Sequence, residues 1–214
     1  MKYAIIADIH ANLVALTAVL ADSEAQGCSR VLCLGDIVGY GVHPKECLDL
    51  VRKRAVPCVK GNFDDYVSSE PAQTGFTQVA AEQIKWTRAQ LGESDREWLR
   101  GLPHVEIVDG FTLVHATLQE PHRWEYVFDK MAAACSFTHQ TTAVCFFGHT
   151  HVPVAFVRDS AVRGGTYSKI SVDSNKQYFV NVGSVGQPRD NNPKAAYVVY
   201  DPAERVIELR RLAF

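Results

Sequence analysis

The residues of this chain best equipped for chemistry are Asp8 and His10, Asp36, Asn62, His115, and His149 with His151. Each group follows a short apolar run: residues 3–7, 31–34, 56–59, 111–114 and 143–147. Runs of this length, several rich in Val, Ile, Phe or Tyr, read as strands buried on both faces. Five expected strands therefore deliver Asp, Asn or His at their carboxyl ends, the end where open α/β sheets bind ligands. Singly, Asp8 could cap a helix and Asn62 could shape a turn. As an ordered set they point to a metal site.

The donor types select the ion. Carboxylate, imidazole and amide oxygen without thiolate suit Mn, Fe, Zn or a similar divalent ion, Ni and Co included. Asp-x-His and His-x-His would each set two side chains on one side of an extended strand end. Two such pairs plus three single ligands exceed the needs of one tetrahedral ion. They suit two ions sharing a carboxylate. Such ions lie roughly 3.5–4 Å apart and hold a hydroxide, stable near neutral pH, for in-line attack on phosphorus.

Around this set stand weaker candidates. Arg189, in a loop rich in Gly, Pro and Asn, could clamp a phosphate or pair with Asp190. Tyr40 and Trp124 could stack on a nucleobase or aryl group, although packing at the rim is the plainer reading. His43 and His122 could reach the site, whereas His104 and His139 read as ordinary residues.

The elements that must position these side chains alternate at first. Asn12 is a plausible helix cap, with Leu13, Leu16 and Leu20 lining one face until Gly27. Pro44 suits a first helical turn, with Cys47, Leu48 and Val51 turned inward. A third helix is expected over residues 77–91. Ser94 and Glu97 have the spacing of a capping box opening a short helix with Trp98 and Leu99. Another is expected over 124–135, repeating Trp124, Val127, Phe128 and Met131. Residues 105–114 with Asp109-Gly110 read as a hairpin. Residues 153–182 read as strands broken at Gly164-Gly165 and at 173–175, followed by apolar runs at 178–182, 195–200 and 206–209. One domain over residues 1–214, an α+β arrangement of two packed sheets with outer helices, fits this order.

Bulk properties agree. The chain has 214 residues, 47% hydrophobic and 21% charged, with 22 basic against 24 acidic residues and a net charge of −2. That is an ordinary globular balance, with no basic patch for nucleic acid and no apolar run long enough to cross a membrane. The first residues meet Asp8 too soon for a signal peptide. The six cysteines form no C-x-x-C pair and read as small buried hydrophobes. A cytoplasmic protein acting on a small phosphoester or nucleotide is the expectation, and a homo-oligomer is compatible with it.

The blocks Asp8-Ile9-His10, Gly35-Asp36, Gly61-Asn62-Phe63-Asp64, His115 and Gly148-His149-Thr150-His151 resemble those of calcineurin-like metallophosphoesterases. The likeness extends through residues 34–41 and 183–190 toward the small bacterial and archaeal branch labelled phosphodiesterase or diadenosine tetraphosphatase-like. It implies a four-layer sandwich of two mixed sheets flanked by helices. It also implies that Asp8, His10 and His151 hold one metal, that Asn62, His115 and His149 hold a second, and that Asp36 bridges them. Manganese is the leading choice of ion. Catalysis would then fall to Asp36, Asn62 and His149, and substrate contact to Asn62, Arg189 and Tyr40.

One position departs from the pattern. The family usually carries His after Gly-Asn, to protonate the leaving group or hold the transferring phosphoryl group. Phe63 stands there and does neither. General acid help is typically worth ~100- to 10,000-fold, so loss of that His favours good leaving groups and, by resemblance to relatives lacking it, phosphodiesters. The partner of that His, Asp64, has no assigned role at this stage. The alternatives are a nucleotide pyrophosphohydrolase, a serine/threonine protein phosphatase, or a non-enzymatic scaffold like the small retromer subunit. The scaffold reading would require lost ligands, and none is lost.

Overall fold

The computed structural model describes residues 1–70 and 76–214. The chain opens with β1 (Tyr3–Ile6), α1 (Leu13–Ala25), β2 (Arg30–Cys33) and α2 (Pro44–Lys53), then α3 (Asn62–Ser68), α4 (Gln78–Gln90) and α5 (Glu93–Arg100). A hairpin of β3 (Val105–Val108) and β4 (Phe111–Val114) leads to α6 (Lys130–Phe137) and β5 (Val144–Phe147). The rest is strand: β6 (Ala155–Arg158), β7 (Val162–Gly165), β8 (Lys169–Ser171), β9 (Gln177–Asn181), β10 (Ala195–Asp201) and β11 (Val206–Leu212).

Two mixed sheets result. One runs β2-β1-β10-β11-β8, the other β3-β4-β5-β9-β6-β7. β1 and β2 are parallel, as are β4, β5 and β9; the remaining pairs are antiparallel. Strand alternation explains the layers. Ile5, Leu32 and Val198 of the first sheet meet Leu113, Phe146 and Val180 of the second in one buried cluster. The opposite face of the first sheet, Ala4 and Ile6 among it, packs on Leu16, Leu48 and Leu99 from the helices. The outer face of the second sheet sets Phe147 and Phe179 against Ala133 and Phe137 of α6. The order helix, sheet, sheet, helix is the expected α+β sandwich.

Local differences have local causes. Residues 56–59 form only a single parallel bridge, Cys33 to Cys58. Cys33 N–H donates to the Pro57 carbonyl at 2.9 Å and Val59 N–H returns to the Cys33 carbonyl at 3.0 Å, but Pro57 has no N–H with which to extend the ladder toward the earlier residues of β2. Asn62 opens a short helix, α3, which was not expected from the sequence. The helix expected from Trp124 begins only at Lys130, because Asp129 caps it by accepting the N–H groups of Met131 and Ala132. α5 starts at Glu93, and its cap bond is made by Asp95, which accepts Gly92 N–H at 3.1 Å, rather than by Ser94. No helix among the described residues is long and apolar enough to cross a membrane.

Candidate metal centre

All seven expected ligands are buried and converge where the two sheets meet, just beyond the ends of β1, β2, β4 and β5. Two sets have their donor atoms within 4.8 Å of one another: Asp8, His10 and His151, and Asp8, Asp36 and His115. Asp36 Oδ2 lies between them, 3.5 Å from His10 Nε2 and 3.6 Å from His115 Nε2. His115 Nε2 is 3.1 Å from Asn62 Oδ1, and the His149 ring lies 5.0 Å from that of His115. The backbone differs from the expected extended ends. Asp8, His10, Asp36, His149 and His151 all have positive φ, between 46° and 66°. The chain curls after each strand, and the x residue between two ligands does not simply point away. Such conformations are sparsely populated and concentrate at functional sites.

Every imidazole has one nitrogen tied to a backbone carbonyl. Nδ1 of His10, His115 and His151 faces the carbonyls of Val38, Leu34 and Gln187 at 3.3, 2.7 and 2.6 Å. His149 is reversed, with Nε2 at 2.8 Å from the Trp124 carbonyl. A carbonyl oxygen only accepts, so each of these nitrogens carries the ring proton. Burial pushes His149 down to about 4 and His151 to about 3, and lowers His10 and His115 well below the usual range. Neutral rings with one donating nitrogen leave the other nitrogen as a bare lone pair aimed into the site.

Those lone pairs then collide with other acceptors. His10 Nε2 and His151 Nε2 face each other at 3.1 Å, and neither has a proton to share. His115 Nε2 meets the Asn62 oxygen in the same way. Turning the Asn62 amide would relieve the second conflict; no choice of ring proton relieves the first while the carbonyl bonds stand. Burial meanwhile raises the carboxyls of Asp8 and Asp36 well above the usual carboxylate range. Divalent cations among these atoms resolve both costs, since they accept lone pairs and hold buried carboxylates ionised. Carbonyl-oriented imidazoles are also the normal outer support of metal ligands.

Glycines let the ligand loops touch. A Cβ on Gly61 would lie 2.2 Å from Asp36 Oδ1, and one on Gly148 would lie 2.7 Å from Asp8 Oδ2. Asp64 then locks two loops together. Its carboxylate accepts N–H groups from Asp36, Ile37, Val38 and Gly61, at 2.8, 3.0, 3.4 and 3.1 Å. Burial raises its pKa to about 6 against the pull of those donors. So Asp64 holds the loop that carries Asp36, a role the absence of a neighbouring His had left open. Two further residues were missed in the sequence. Asn181 donates to the Gly148 carbonyl at 2.6 Å, and Ser184 donates to the Asp8 carbonyl at 2.8 Å. The signal was present: Asn181 is the one polar residue inside the apolar run 178–182, and Ser184 follows that run by two residues.

A family model described as a calcineurin-like phosphoesterase superfamily domain matches residues 1–205. The chain belongs to that superfamily. It is 36% identical to an uncharacterized protein of Methanocaldococcus jannaschii, over 99% of this chain and 87% of that one. It is 37% identical to a metallophosphoesterase from Sphaerobacter thermophilus, covering 100% of this chain and 89% of that chain with a TM-score of 0.88. A hypothetical protein from Pyrococcus horikoshii shares the fold at 19% identity, with a TM-score of 0.79 over 100% of this chain and 88% of that chain. Calcineurin-like phosphoesterases use divalent metals, in keeping with the ligand clusters here.

The rim of this calcineurin-like domain is more mixed. Phe63 is 5% exposed, its ring 5.4 Å from His10 and 4.4 Å from Tyr40. It is an apolar wall of the site cavity and a member of the core at once. Tyr40 is 39% exposed and lies under the Arg189 guanidinium, whose carbon sits 5.8 Å from the ring centroid. Arg189 lines the cavity and bonds Gln187 at 2.7 Å. The alternative pairing of Arg189 with Asp190 does not form, because Asp190 binds Arg211. Trp124 is buried; its carbonyl meets His149 Nε2 and its ring packs edge-on against His115, 5.8 Å between centroids. His122 packs near His104, and His43 faces Glu46 at 3.6 Å. Neither lines the metal cavity. Tyr126, which does, ends the loop 119–126 that the sequence marks for substrate selection, but was not singled out as a residue.

Proposed function

We propose that this protein is a dinuclear-metal phosphoesterase that favours phosphodiesters. The opposed lone pairs of His10 and His151, 3.1 Å apart with both ring protons committed elsewhere, carry the metal-dependent reading. Asp8, His10 and His151 would hold one ion, Asn62, His115 and His149 the other through His149 Nδ1, and Asp36 would serve both. Bound divalent ions supply a low-pKa water and neutralise charge on phosphoryl oxygens. Manganese is the ion proposed.

The chain's own residues define the rest. Arg189 is the cation lining the cavity and suits the single negative charge of a diester. Phe63 excludes water and offers no proton. The protons of the four ligand imidazoles are held by carbonyls, so none is free to assist a leaving group. Good leaving groups are therefore favoured.

Manganese-reconstituted protein should hydrolyse bis(p-nitrophenyl) phosphate faster than p-nitrophenyl phosphate. Phe63→His should shift that ratio toward the monoester by about 10-fold or more. A wide monoester preference in the unaltered protein would sink the diester clause. No hydrolysis of either ester after reconstitution would sink the phosphoesterase reading.

A further inference from the structure

The segment that supplies the Trp124 carbonyl also builds an aromatic surface. Trp124 and Val127 turn inward, 9% and 1% exposed, and anchor it. Between and beyond them Tyr126 and Phe128 turn outward, 51% and 65% exposed. Their rings are stacked, 5.3 Å apart at 6°. Tyr126 also stacks on His149, 4.3 Å apart at 23°, and lines the metal cavity. A continuous stack thus runs from a metal-ligand imidazole out to solvent. Two adjacent exposed rings beside a cavity are a patch with a use, unlike scattered exposed apolar residues.

The Tyr40 side of the cavity is built differently. Tyr40, 39% exposed, packs against Phe63, His10 and the Arg189 guanidinium. That wall offers a charge; the Tyr126 wall offers open aromatic surface. A phosphoester whose phosphoryl group faces Arg189 and the metal ligands sends a substituent toward Tyr126. We infer that Tyr126 and Phe128 form a stacking shelf for a planar aromatic substituent of the substrate, a nucleobase or an aryl ring. The inference rests on the phosphoesterase reading for its orientation, and it commits the rim residues to substrate selection. Stacking a base on a protein aromatic is worth about 1–3 kcal/mol, or about 5- to 150-fold in affinity.

Phe128 is the better probe, because its ring contact among the described residues is with Tyr126 and not with a metal ligand. Calorimetric titration of manganese-loaded protein would compare AMP, phenyl phosphate and methyl phosphate, which share a phosphate head. AMP or phenyl phosphate should bind at least about 5-fold tighter than methyl phosphate, and the tighter of the two names the preferred ring. Phe128→Ala should remove most of that advantage without altering methyl phosphate binding, and Phe128→Trp should keep it. Equal affinities for all three ligands overturn the shelf, as does an aromatic advantage that survives Phe128→Ala. Binding is read separately from hydrolysis, which is assayed on the same three ligands. A protein that hydrolyses nothing but still prefers the aromatic phosphates loses the phosphoesterase reading and keeps the shelf.

Discussion

The floor and the rim of the site are built by different rules. On the floor, buried side chains come from strand ends of both sheets. Each imidazole is fixed by a carbonyl, and the Asp36 loop is fixed by Asp64. At the rim, Tyr40, Tyr126, Phe128 and Arg189 are exposed and held by ring, cation–π and hydrogen-bond contacts rather than by burial. The floor is preorganised for one kind of chemistry, as charge-stabilising groups must be. The rim can vary without disturbing that chemistry, which is how one fold serves many substrates.

Substitutions should separate the two regions. Asp36→Ala on the floor should have the largest effect, a loss of about 100- to 1,000-fold in kcat, the scale for removing a preorganised charge-stabilising group. Steady-state kinetics with an aryl diester reads it; a loss confined to KM would place Asp36 outside the reacting centre. Asp64→Ala leaves four N–H groups without their acceptor. It should cost at least about 3 kcal/mol of stability, read as a lowered denaturant midpoint. An unchanged midpoint would mean that the Asp36 loop holds itself.

Further from the proposed metal ions the effects should shrink. Asn181→Ala removes the support of the Gly148 and Thr150 turn. Metal affinity should fall about 10- to 100-fold, as for other outer supports of metal ligands. Competition with a chelator measures it, and unaltered affinity would make Asn181 a packing residue. Arg189→Met keeps the apolar stem over Tyr40 and removes the charge. It should raise KM for a diester by about 10-fold, with kcat little changed. A fall in kcat alone would instead place Arg189 on the developing charge.

The same divide governs what the sequence made legible. The floor could be read because each ligand follows an apolar run, and because Asp, Asn and His in that order have few other uses. The sandwich followed from the same runs. Local geometry was less legible. Pro57 reduced an expected strand to one bridge, and Asp129 moved a helix start by six residues, from the expected 124 to Lys130. Asp64 was visible as a residue, but its four backbone partners come from two loops that only the fold brings together. The rim was hardest. Trp124 drew attention as the largest aromatic of its loop, yet burial claimed it, and its neighbours Tyr126 and Phe128 face the solvent. Apolar periodicity does not tell an exposed aromatic from a buried one.

The two-ion floor is tested most directly by counting metal in the purified, manganese-reconstituted protein, with and without Asp36→Ala. The account requires about two ions per chain, bound together with diester hydrolysis, and loss of both ions or of one when Asp36 is removed. Full phosphoesterase activity in metal-free protein would contradict it, as would a protein that retains no divalent ion at any concentration of added manganese.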